Sequence, residues 1–272
     1  MKTTKGGLGM DRSIVVTGGS LGIGRATVEA FLAEGDRVVF TARGEAEAKK
    51  FLGERSEDVQ KGRLFFLRSD ASVANDAEKL AAFTKEKLGG CDVLINNAAV
   101  FIGGLLHQNS EEDFEKLFGI NVRGPFLTSK AFLPMMLERK KGHIIMIASL
   151  AGMGGGYGMT LYCMTKAAVI NMARAMALDY MQYGIRVNAV SPSATETAMF
   201  LGGNSKETID AFRGQNPAHV LGKPEDIANA LVSIADEKNI YINGQNIAVD
   251  GGLSAWNGEY NQSREPGQAY RE

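Results

Sequence analysis

The chain has 272 residues, of which 44% are hydrophobic, so it can bury one large core but is short for two full domains. Its 30 basic and 31 acidic residues leave a formal net charge of −1 without a basic block, which argues against nucleic acid as a partner. Two distant cysteines, Cys91 and Cys163, and the lack of a signal peptide over residues 1–9 predict a cytoplasmic protein without disulfide bonds.

The N-terminal half alternates short runs of β-branched residues with longer amphipathic segments. The predicted strands are Ser13–Thr17, Arg37–Thr41, Leu64–Arg68 and Asp92–Asn96. The predicted helices are Gly22–Ala33, Ala46–Gly53 and Ala74–Leu88. This alternation predicts a parallel sheet with helices on both faces.

The C-terminal half continues the pattern. Its predicted helices are Ser110–Gly119, Pro125–Leu137, Thr160–Tyr183 and Pro224–Ala235, and its predicted strands are His143–Ala148, Ile185–Val190 and Asn246–Val249. Residues 144–165 carry no charge and are long enough to span a bilayer, but their five glycines favour a strand, a loop and a helix start, so we expect no membrane partner. We predict one α/β domain over residues 1–256, a Rossmann-type doubly wound parallel sheet of about seven strands, and a polar tail over residues 257–272.

A glycine-rich loop directly follows the first predicted strand and precedes a helix. In Thr17-Gly18-Gly19-Ser20-Leu21-Gly22-Ile23-Gly24, Gly18 permits a tight turn, Gly22 lets the backbone approach a pyrophosphate, and Gly24 allows close packing of helix on strand. The helix N-terminus offers free N–H groups to the anion. The loop therefore predicts a dinucleotide cofactor, although a lone loop of this kind is also compatible with an ordinary strand-to-helix turn.

The end of the second strand bears on which dinucleotide binds. An NAD-binding chain is expected to place an acid there, about 20 residues beyond the glycine loop, to bond the ribose 2′-hydroxyl. This chain has Ala42 and Arg43 instead, and a guanidinium suits a phosphate. We predict NADP in preference to NAD, with a solvent-facing Arg43 as the alternative.

Tyr162 and Lys166 lie four residues apart, the spacing that brings side chains together on a helix. An ammonium beside the phenol favours the ionised form of a group whose pKa is ordinarily about 10, so the pair is a candidate acid/base. The same spacing also occurs by chance on helix surfaces. His107, His143 and His219 are too far apart in sequence to predict a metal site.

Taken together, the motifs resemble those of the short-chain dehydrogenase/reductase superfamily, in its single-domain branch. The matching segments run from residue 13 to residue 252 in family order, and they are Thr17–Gly24, Asp70-Ala71, Asn96–Ala99, Asn121, Ser149, Tyr162 with Lys166, Arg186–Pro192 and Gly244–Gly252. Two positions depart from the family pattern, because Ala99 and Ser193 stand where glycine is usual.

The resemblance implies reversible hydride transfer between NADP(H) and a ketone or secondary alcohol. It implies that Tyr162 is the acid/base, that Lys166 lowers the tyrosine pKa and holds the nicotinamide ribose, and that Ser149 bonds the substrate oxygen. Asn121 would hold a water molecule that links Lys166 to solvent. The implied cofactor contacts are Gly18, Ser20, Leu21, Gly22, Ile23, Gly24, Arg43, Asp70, Ala71, Asn97, Ala98, Tyr162, Lys166, Pro192, Thr195 and Thr197.

Within that set, the resemblance assigns Asp70 to the adenine amino group, Asn97 and Ala98 to the ribose and nicotinamide side, and Thr197 to the carboxamide. Residues 196–223 are expected to form a lid whose Met199, Phe200, Leu201, Ile209 and Phe212 favour an apolar or ring-bearing substrate. The family also implies a homotetramer built on the two long helices, with the segment 253–272 reaching a neighbouring subunit.

Two other functions are compatible with the fold. A catalytically silent dinucleotide sensor or scaffold would be free to lose the tyrosine or the lysine, but both are present. A sugar-nucleotide epimerase or dehydratase of the longer related branch would need an additional C-terminal substrate domain, and the chain has no room for one.

Overall fold

Seven short strands pair in parallel to form one sheet in a computed structural model that describes residues 11–259. The strands are β1 (Ser13–Val16), β2 (Arg37–Ala42), β3 (Leu64–Arg68), β4 (Val93–Asn96), β5 (Gly142–Ile147), β6 (Ile185–Pro192) and β7 (Asn246–Val249). Their order across the sheet is β3-β2-β1-β4-β5-β6-β7. The predicted doubly wound parallel sheet is confirmed.

Ten α-helices lie in the described part of the chain. They are α1 (Gly22–Ala33), α2 (Glu45–Glu54), α3 (Ser56–Gln60), α4 (Ala74–Leu88), α5 (Glu111–Phe118), α6 (Gly124–Arg139), α7 (Thr160–Tyr180), α8 (Ala198–Gly202), α9 (Lys206–Gln215) and α10 (Pro224–Ala235). None of them is both long and apolar enough to cross a membrane.

Both faces of the sheet are buried, because successive side chains of a strand point to opposite sides. On one face, Val15 of β1 belongs to a core that includes Phe132 of α6 and Val169 of α7. On the other face, Ile14 and Val16 of the same strand belong to a second core with helices α1, α2 and α10. Helices on both faces explain why β1, β4 and β5 are nearly uninterrupted apolar runs.

The strand order reverses between β1 and β4, since β2 and β3 lie on one side of β1 while β4 to β7 lie on the other. In such sheets a crevice opens at the carboxyl ends of the strands where the order reverses. The glycine-rich loop leaves β1 at this point, and Asn97 and Ala98 follow β4 beside it. The topology therefore brings both segments to one edge of the sheet.

Three features were not predicted from the sequence. The short helix α3 follows α2, and the segment 196–223 contains helices α8 and α9, which are capped by the side chains of Thr197 and Ser205. Helices α5 and α6 are joined by a π-helical turn over Gly119–Arg123 rather than by a break. Such turns widen the helix locally and are frequent at functional sites.

Most of the predicted polar tail, residues 260–272, lies outside the described residues, as does the stretch 1–9 in which no signal peptide was predicted. The predicted tetramer and cytoplasmic location stay predictions. The two helices on which the tetramer prediction depends do expose large apolar side chains, including Phe126 on α6 and Leu178 on α7.

Candidate active site

The glycine-rich loop has the backbone geometry that a dinucleotide cradle needs. Gly18 and Gly22 have φ angles of +66° and +53°, a region that side chains strongly disfavour. A Cβ atom at Gly24 would lie 2.1 Å from the carbonyl oxygen of Gly18, so only glycine permits this approach of α1 to the loop. No side chain caps the N-terminus of α1, which leaves the first-turn N–H groups for an anion. The loop therefore fits a pyrophosphate.

Two side chains hold the loop in place. The hydroxyl of Thr17 accepts hydrogen bonds from the backbone N–H groups of Asn97 and Ala98, each at 3.0 Å. The amide of Asn97 donates in return to the carbonyl oxygens of Thr17 (2.9 Å) and Gly18 (3.0 Å). Asn97 thus lines the cavity but uses its side-chain donor to brace the loop, a role that the sequence did not predict.

The residues that the sequence predicts at the adenosine end of the site lie beyond β2 and β3. The Asp70 carboxylate accepts two hydrogen bonds from Ser72, one from the backbone N–H of Ser72 at 2.9 Å and one from the Ser72 hydroxyl at 2.7 Å. Although partial burial opposes it, these bonds and the nearby charges of Arg43 and Arg68 lower the pKa of Asp70, which keeps it an acceptor. Arg43 lies at the same end and makes no side-chain hydrogen bond or ion pair within residues 11–259.

The predicted catalytic groups converge at the end of β5 and the start of α7. Lys166 is buried and donates from Nζ to the carbonyl oxygen of Ile147 at 2.8 Å. Its ammonium lies 5.6 Å from the centre of the Tyr162 ring. The hydroxyl of Ser149 accepts from the backbone N–H of Ala151 at 3.2 Å and also bonds the Tyr162 phenol. The end of β5 and the start of α7, both remote in sequence from the glycine loop, thus complete one site.

The pKa values of the pair differ from the expectation. Burial raises the pKa of Tyr162 to about 12, with a smaller rise from neighbouring Cys163, although the hydrogen bond with Ser149 lowers it. Burial also lowers the pKa of Lys166 to about 8. Desolvation is therefore the largest cause of both shifts. At neutral pH the phenol holds its proton, as a general acid must, and Lys166 is still largely charged.

Asn121 lies in the π-helical turn behind the catalytic pair, and its side chain does not line the cavity. Its amide oxygen accepts from the N–H of Val100 at 2.8 Å, and its amide nitrogen donates to the carbonyl oxygen of Val100 at 2.9 Å and to Thr165 at 3.3 Å. The side chain is thus committed to joining the segment after β4 to helix α7. The sequence could not reveal this commitment.

The segment after β6 closes the side of the cavity that the sequence predicts for the nicotinamide. The Thr197 hydroxyl accepts from the N–H of Phe200 at 3.2 Å and so caps α8. The methyl group of Thr197 lies 3.1 Å from the position that a Cβ atom of Gly22 would take, which brings the lid against the glycine loop. Ser193, which departs from the family pattern, is not among the described residues with positive φ, so the replacement of glycine introduces no backbone strain.

One cavity of about 640 Å³ joins these parts. Apart from Asn121, every predicted catalytic or cofactor residue lines it. Cavity-lining residues that the sequence did not single out include Gly44, Glu47, Ser69, Phe101, Ile120, Ile147, Leu150, Ala151, Ala194, Ala198, Gly203 and Asn204. Of the apolar lid residues, Met199, Phe200 and Phe212 line the cavity, whereas Leu201 and Ile209 do not. Within residues 11–259, no cluster of His, Cys, Asp and Glu is suited to a metal ion.

Aromatic and sulfur-containing side chains line the end of the cavity beyond Tyr162. The ring of Phe101 meets that of Tyr162 edge to face, with centroids 5.1 Å apart, and Phe200 meets Phe212 in the same manner at 5.3 Å. Met159 lies beside them at the start of α7. A ligand at this end meets apolar surface around one set of hydroxyl groups.

A parallel sheet with a glycine-rich loop at its switch point, and a serine, a tyrosine and a lysine in the same cavity, defines a dinucleotide-dependent oxidoreductase. A family model described as enoyl-(acyl carrier protein) reductase matches residues 18–254. The chain belongs to the short-chain dehydrogenase/reductase superfamily and is an NAD(P)-dependent oxidoreductase.

Individual relatives agree in length and structure. The meso-2,3-butanediol dehydrogenase of Serratia marcescens is 36% identical over 249 residues, which cover 92% of this chain and 97% of that protein. The crystal structure of levodione reductase is 28% identical with a TM-score of 0.86, covering 90% of this chain and 98% of the other. ElxO with NADP bound is also 28% identical, with a TM-score of 0.84, and covers 91% of this chain and 100% of the other.

Proposed function

We propose that the protein interconverts an uncharged ketone and its secondary alcohol, with NADP(H) preferred over NAD(H) and with Tyr162 as the acid/base. The observation that carries this proposal is the single cavity lined by the glycine-rich loop at one end and by Ser149, Tyr162 and Lys166 at the other. The bound dinucleotide supplies the hydride in reduction and receives it in oxidation.

Ser149 and Tyr162 act on the substrate oxygen. The Ser149 hydroxyl accepts the N–H of Ala151 and bonds the Tyr162 phenol. A substrate carbonyl oxygen that enters between the two hydroxyl groups accepts from Ser149 in place of the phenol, as negative charge grows on it. In reduction the Tyr162 phenol transfers its proton to that oxygen, and in oxidation it takes the proton back. The raised pKa of Tyr162 favours the donor role at neutral pH.

Lys166 supports this transfer from the buried side. One of its three N–H donors is held by the carbonyl oxygen of Ile147, which fixes the ammonium within the cavity wall. The remaining donors can bond the ribose hydroxyls of the dinucleotide. The positive charge also stabilises the phenolate that Tyr162 becomes after proton transfer.

The preference for NADP is supported by the end of β2. Ala42 presents no carboxylate to repel a 2′-phosphate, and the guanidinium of Arg43 lines the cavity without a hydrogen bond or ion pair within residues 11–259. A bidentate phosphate contact is the geometry for which arginine is suited. The similar structure of ElxO contains NADP.

The substrate class follows from the lining of the catalytic end. Among residues 11–259, no charged side chain other than Lys166 lines the cavity there, and Phe101, Met159, Phe200 and Phe212 present rings and a thioether. Burial of such surface favours an apolar, ring-bearing molecule, at about 25 cal/mol per Å² removed from water. A carboxylate or phosphate on the substrate would find no second cation. We therefore propose a neutral cyclic or aromatic ketone.

The test is Tyr162→Phe, assayed by NADPH oxidation against a panel of uncharged cyclic ketones and diketones. We expect kcat to fall by a factor of about 10² to 10⁴ because the proton donor is lost. The dissociation constant for NADPH should change little. Tyr157→Phe is the matched control, because Tyr157 is fully exposed and lies away from the cavity.

Near wild-type turnover by the Tyr162→Phe variant would exclude the proposed mechanism. Binding of NADPH by the wild-type protein without turnover of any ketone would favour a silent dinucleotide sensor. A wild-type protein that turns over only with NADH would exclude the proposed cofactor preference while leaving the role of Tyr162 intact.

A further inference from the structure

The adenosine end of the cavity contains three charged side chains, Arg43, Glu47 and Asp70. Asp70 is engaged with Ser72, as described above. Arg43 and Glu47 are both exposed, and neither side chain makes a hydrogen bond or ion pair within residues 11–259. A cation and an anion with free bonding capacity therefore line the same end of the cavity.

Glu47 is brought to this place by the tertiary structure. It is the third residue of α2, and its Oε2 atom lies 3.2 Å from the position that a Cβ atom of Gly44 would take. The carboxylate thus turns back over Gly44, toward the end of β2. This is the end of the strand where an NAD-binding chain is expected to carry an acid and where this chain has Ala42.

Glu45, in the same helical turn, behaves differently. Its carboxylate is paired with Lys49 at 2.8 Å and lies 4.0 Å from Arg68, and it does not line the cavity. These contacts lower the pKa of Glu45, the hydrogen bond with Lys49 first. Two glutamates two residues apart therefore differ in whether a ligand can meet them.

We propose that Glu47 supplies, from helix α2, the acid that the end of β2 lacks, and that it sets the ratio of NAD to NADP use in opposition to Arg43. Its carboxylate accepts a hydrogen bond from the 2′-hydroxyl of the NAD ribose and repels the 2′-phosphate of NADP. Arg43 attracts that phosphate. The protein binds both dinucleotides, and its preference for NADP is smaller than Arg43 alone would produce. This inference rests on the proposed function, in which Arg43 favours NADP.

The test measures dissociation constants of NADPH and NADH by fluorescence titration at low ionic strength for the wild-type protein and for Glu47→Gln, Glu45→Gln and Arg43→Ala. Glu47→Gln should bind NADPH about three- to tenfold more tightly, because a charge that repels the phosphate is removed. It should bind NADH about three- to tenfold more weakly, because an amide accepts the hydroxyl less well than a carboxylate. Salt should reduce the effect on NADPH.

Glu45→Gln removes the same charge from the same helical turn and should leave both constants within about twofold of wild type, because exposed charges outside the site are screened. Equal ratios of the two constants in Glu47→Gln and Glu45→Gln would overturn the proposal. Arg43→Ala tests the other member separately and should weaken NADPH binding about tenfold or more. If Arg43→Ala has no effect but Glu47→Gln does, the NADP preference fails and the role of Glu47 stands.

Discussion

The parallel strands begin at one side of the sheet, here called the amino edge, and end at the other, the carboxyl edge. Both edges hold charged side chains of similar kinds, but the interactions of those side chains differ. At the amino edge, Arg12 and Asp36 form a buried ion pair with an N–O distance of 2.7 Å, and Arg12 also donates to the carbonyl oxygen of Ala235. Asp92 accepts from the backbone of Ser13 at 2.8 Å and from Arg139 at 2.7 Å. These charged groups all have hydrogen-bond or ion-pair partners within the chain.

At the carboxyl edge, the charged groups keep unfilled capacity. Lys166 has a carbonyl oxygen as its partner and no carboxylate, and Arg43 and Glu47 have no side-chain partner within the described residues. An unpaired buried charge costs free energy, and among these three groups only Lys166 is buried, since Arg43 and Glu47 are exposed. The comparison indicates that the amino edge holds the strands together, while the carboxyl edge accepts a cost in stability to bind and transform a ligand.

Lys166→Met should separate activity from stability most sharply. Turnover should fall by a factor of about 10² to 10⁴, because both the charge beside Tyr162 and the ribose donors are lost. The free energy of unfolding at pH 7 should equal or exceed that of the wild type, because the pKa of Lys166 shows that burial disfavours its charge. Chemical denaturation and kinetics measure the two effects.

Lys79→Met is the control for that variant, because Lys79 is exposed on α4 and should affect neither quantity. A large loss of stability in Lys166→Met would contradict the difference between the two edges, because Lys166 would then stabilise the fold.

Asp36→Asn should reduce stability and leave turnover unchanged, the opposite of Lys166→Met. It leaves the charge of Arg12 buried without its partner, which should lower the free energy of unfolding by about 3–5 kcal/mol. Turnover and NADPH affinity of the folded variant at low temperature should match the wild type, because Asp36 does not line the cavity. Asp11→Asn, which removes the exposed partner of Arg37, should cost at most about 1 kcal/mol. Equal losses in both variants would contradict the difference between buried and exposed pairs.

A smaller effect on stability, seen only as a dependence on pH, is expected from His143, near the start of β5. Its Nε2 atom accepts from Asn188 at 2.9 Å, and its Nδ1 atom has no hydrogen-bond partner within residues 11–259. Burial lowers the pKa of His143 well below the usual value, with a further contribution from Arg186. As pH falls through about 6.5, the unfolded chain takes up a proton that the folded chain refuses. The free energy of unfolding should therefore decrease as the pH is lowered.

Between pH 7 and pH 5 this loss should be about 1–2 kcal/mol larger in the wild type than in His143→Gln, as measured by chemical denaturation at each pH. His107→Gln is the control, because His107 is exposed and should leave the slope unchanged. Identical slopes in wild type and His143→Gln would show that His143 is protonated in the folded protein as readily as in the unfolded chain.

Much of the fold follows from local patterns. The strands β1 to β7 are short apolar runs, most of them with β-branched residues, and each glycine of the cradle stands where a turn, a close approach or helix packing requires it. The lid helices α8 and α9 were missed because they are short and lie in a stretch that reads as polar and glycine-containing. The turn at Gly119–Arg123 was predicted as a break because a π-helical turn has no distinct period in the sequence.

The sequence by itself determined the sheet, the phosphate loop and the spacing of Tyr162 and Lys166, because these depend on residues close together in the chain. Only the tertiary structure decided the state of those groups. Desolvation by surrounding elements raises the pKa of Tyr162, and the fold commits Asn121 to Val100. It also brings Glu47 over Gly44, at the end of a strand whose own residues carry no acid. Burial and contacts between distant segments are properties of the whole fold, which a local pattern does not contain.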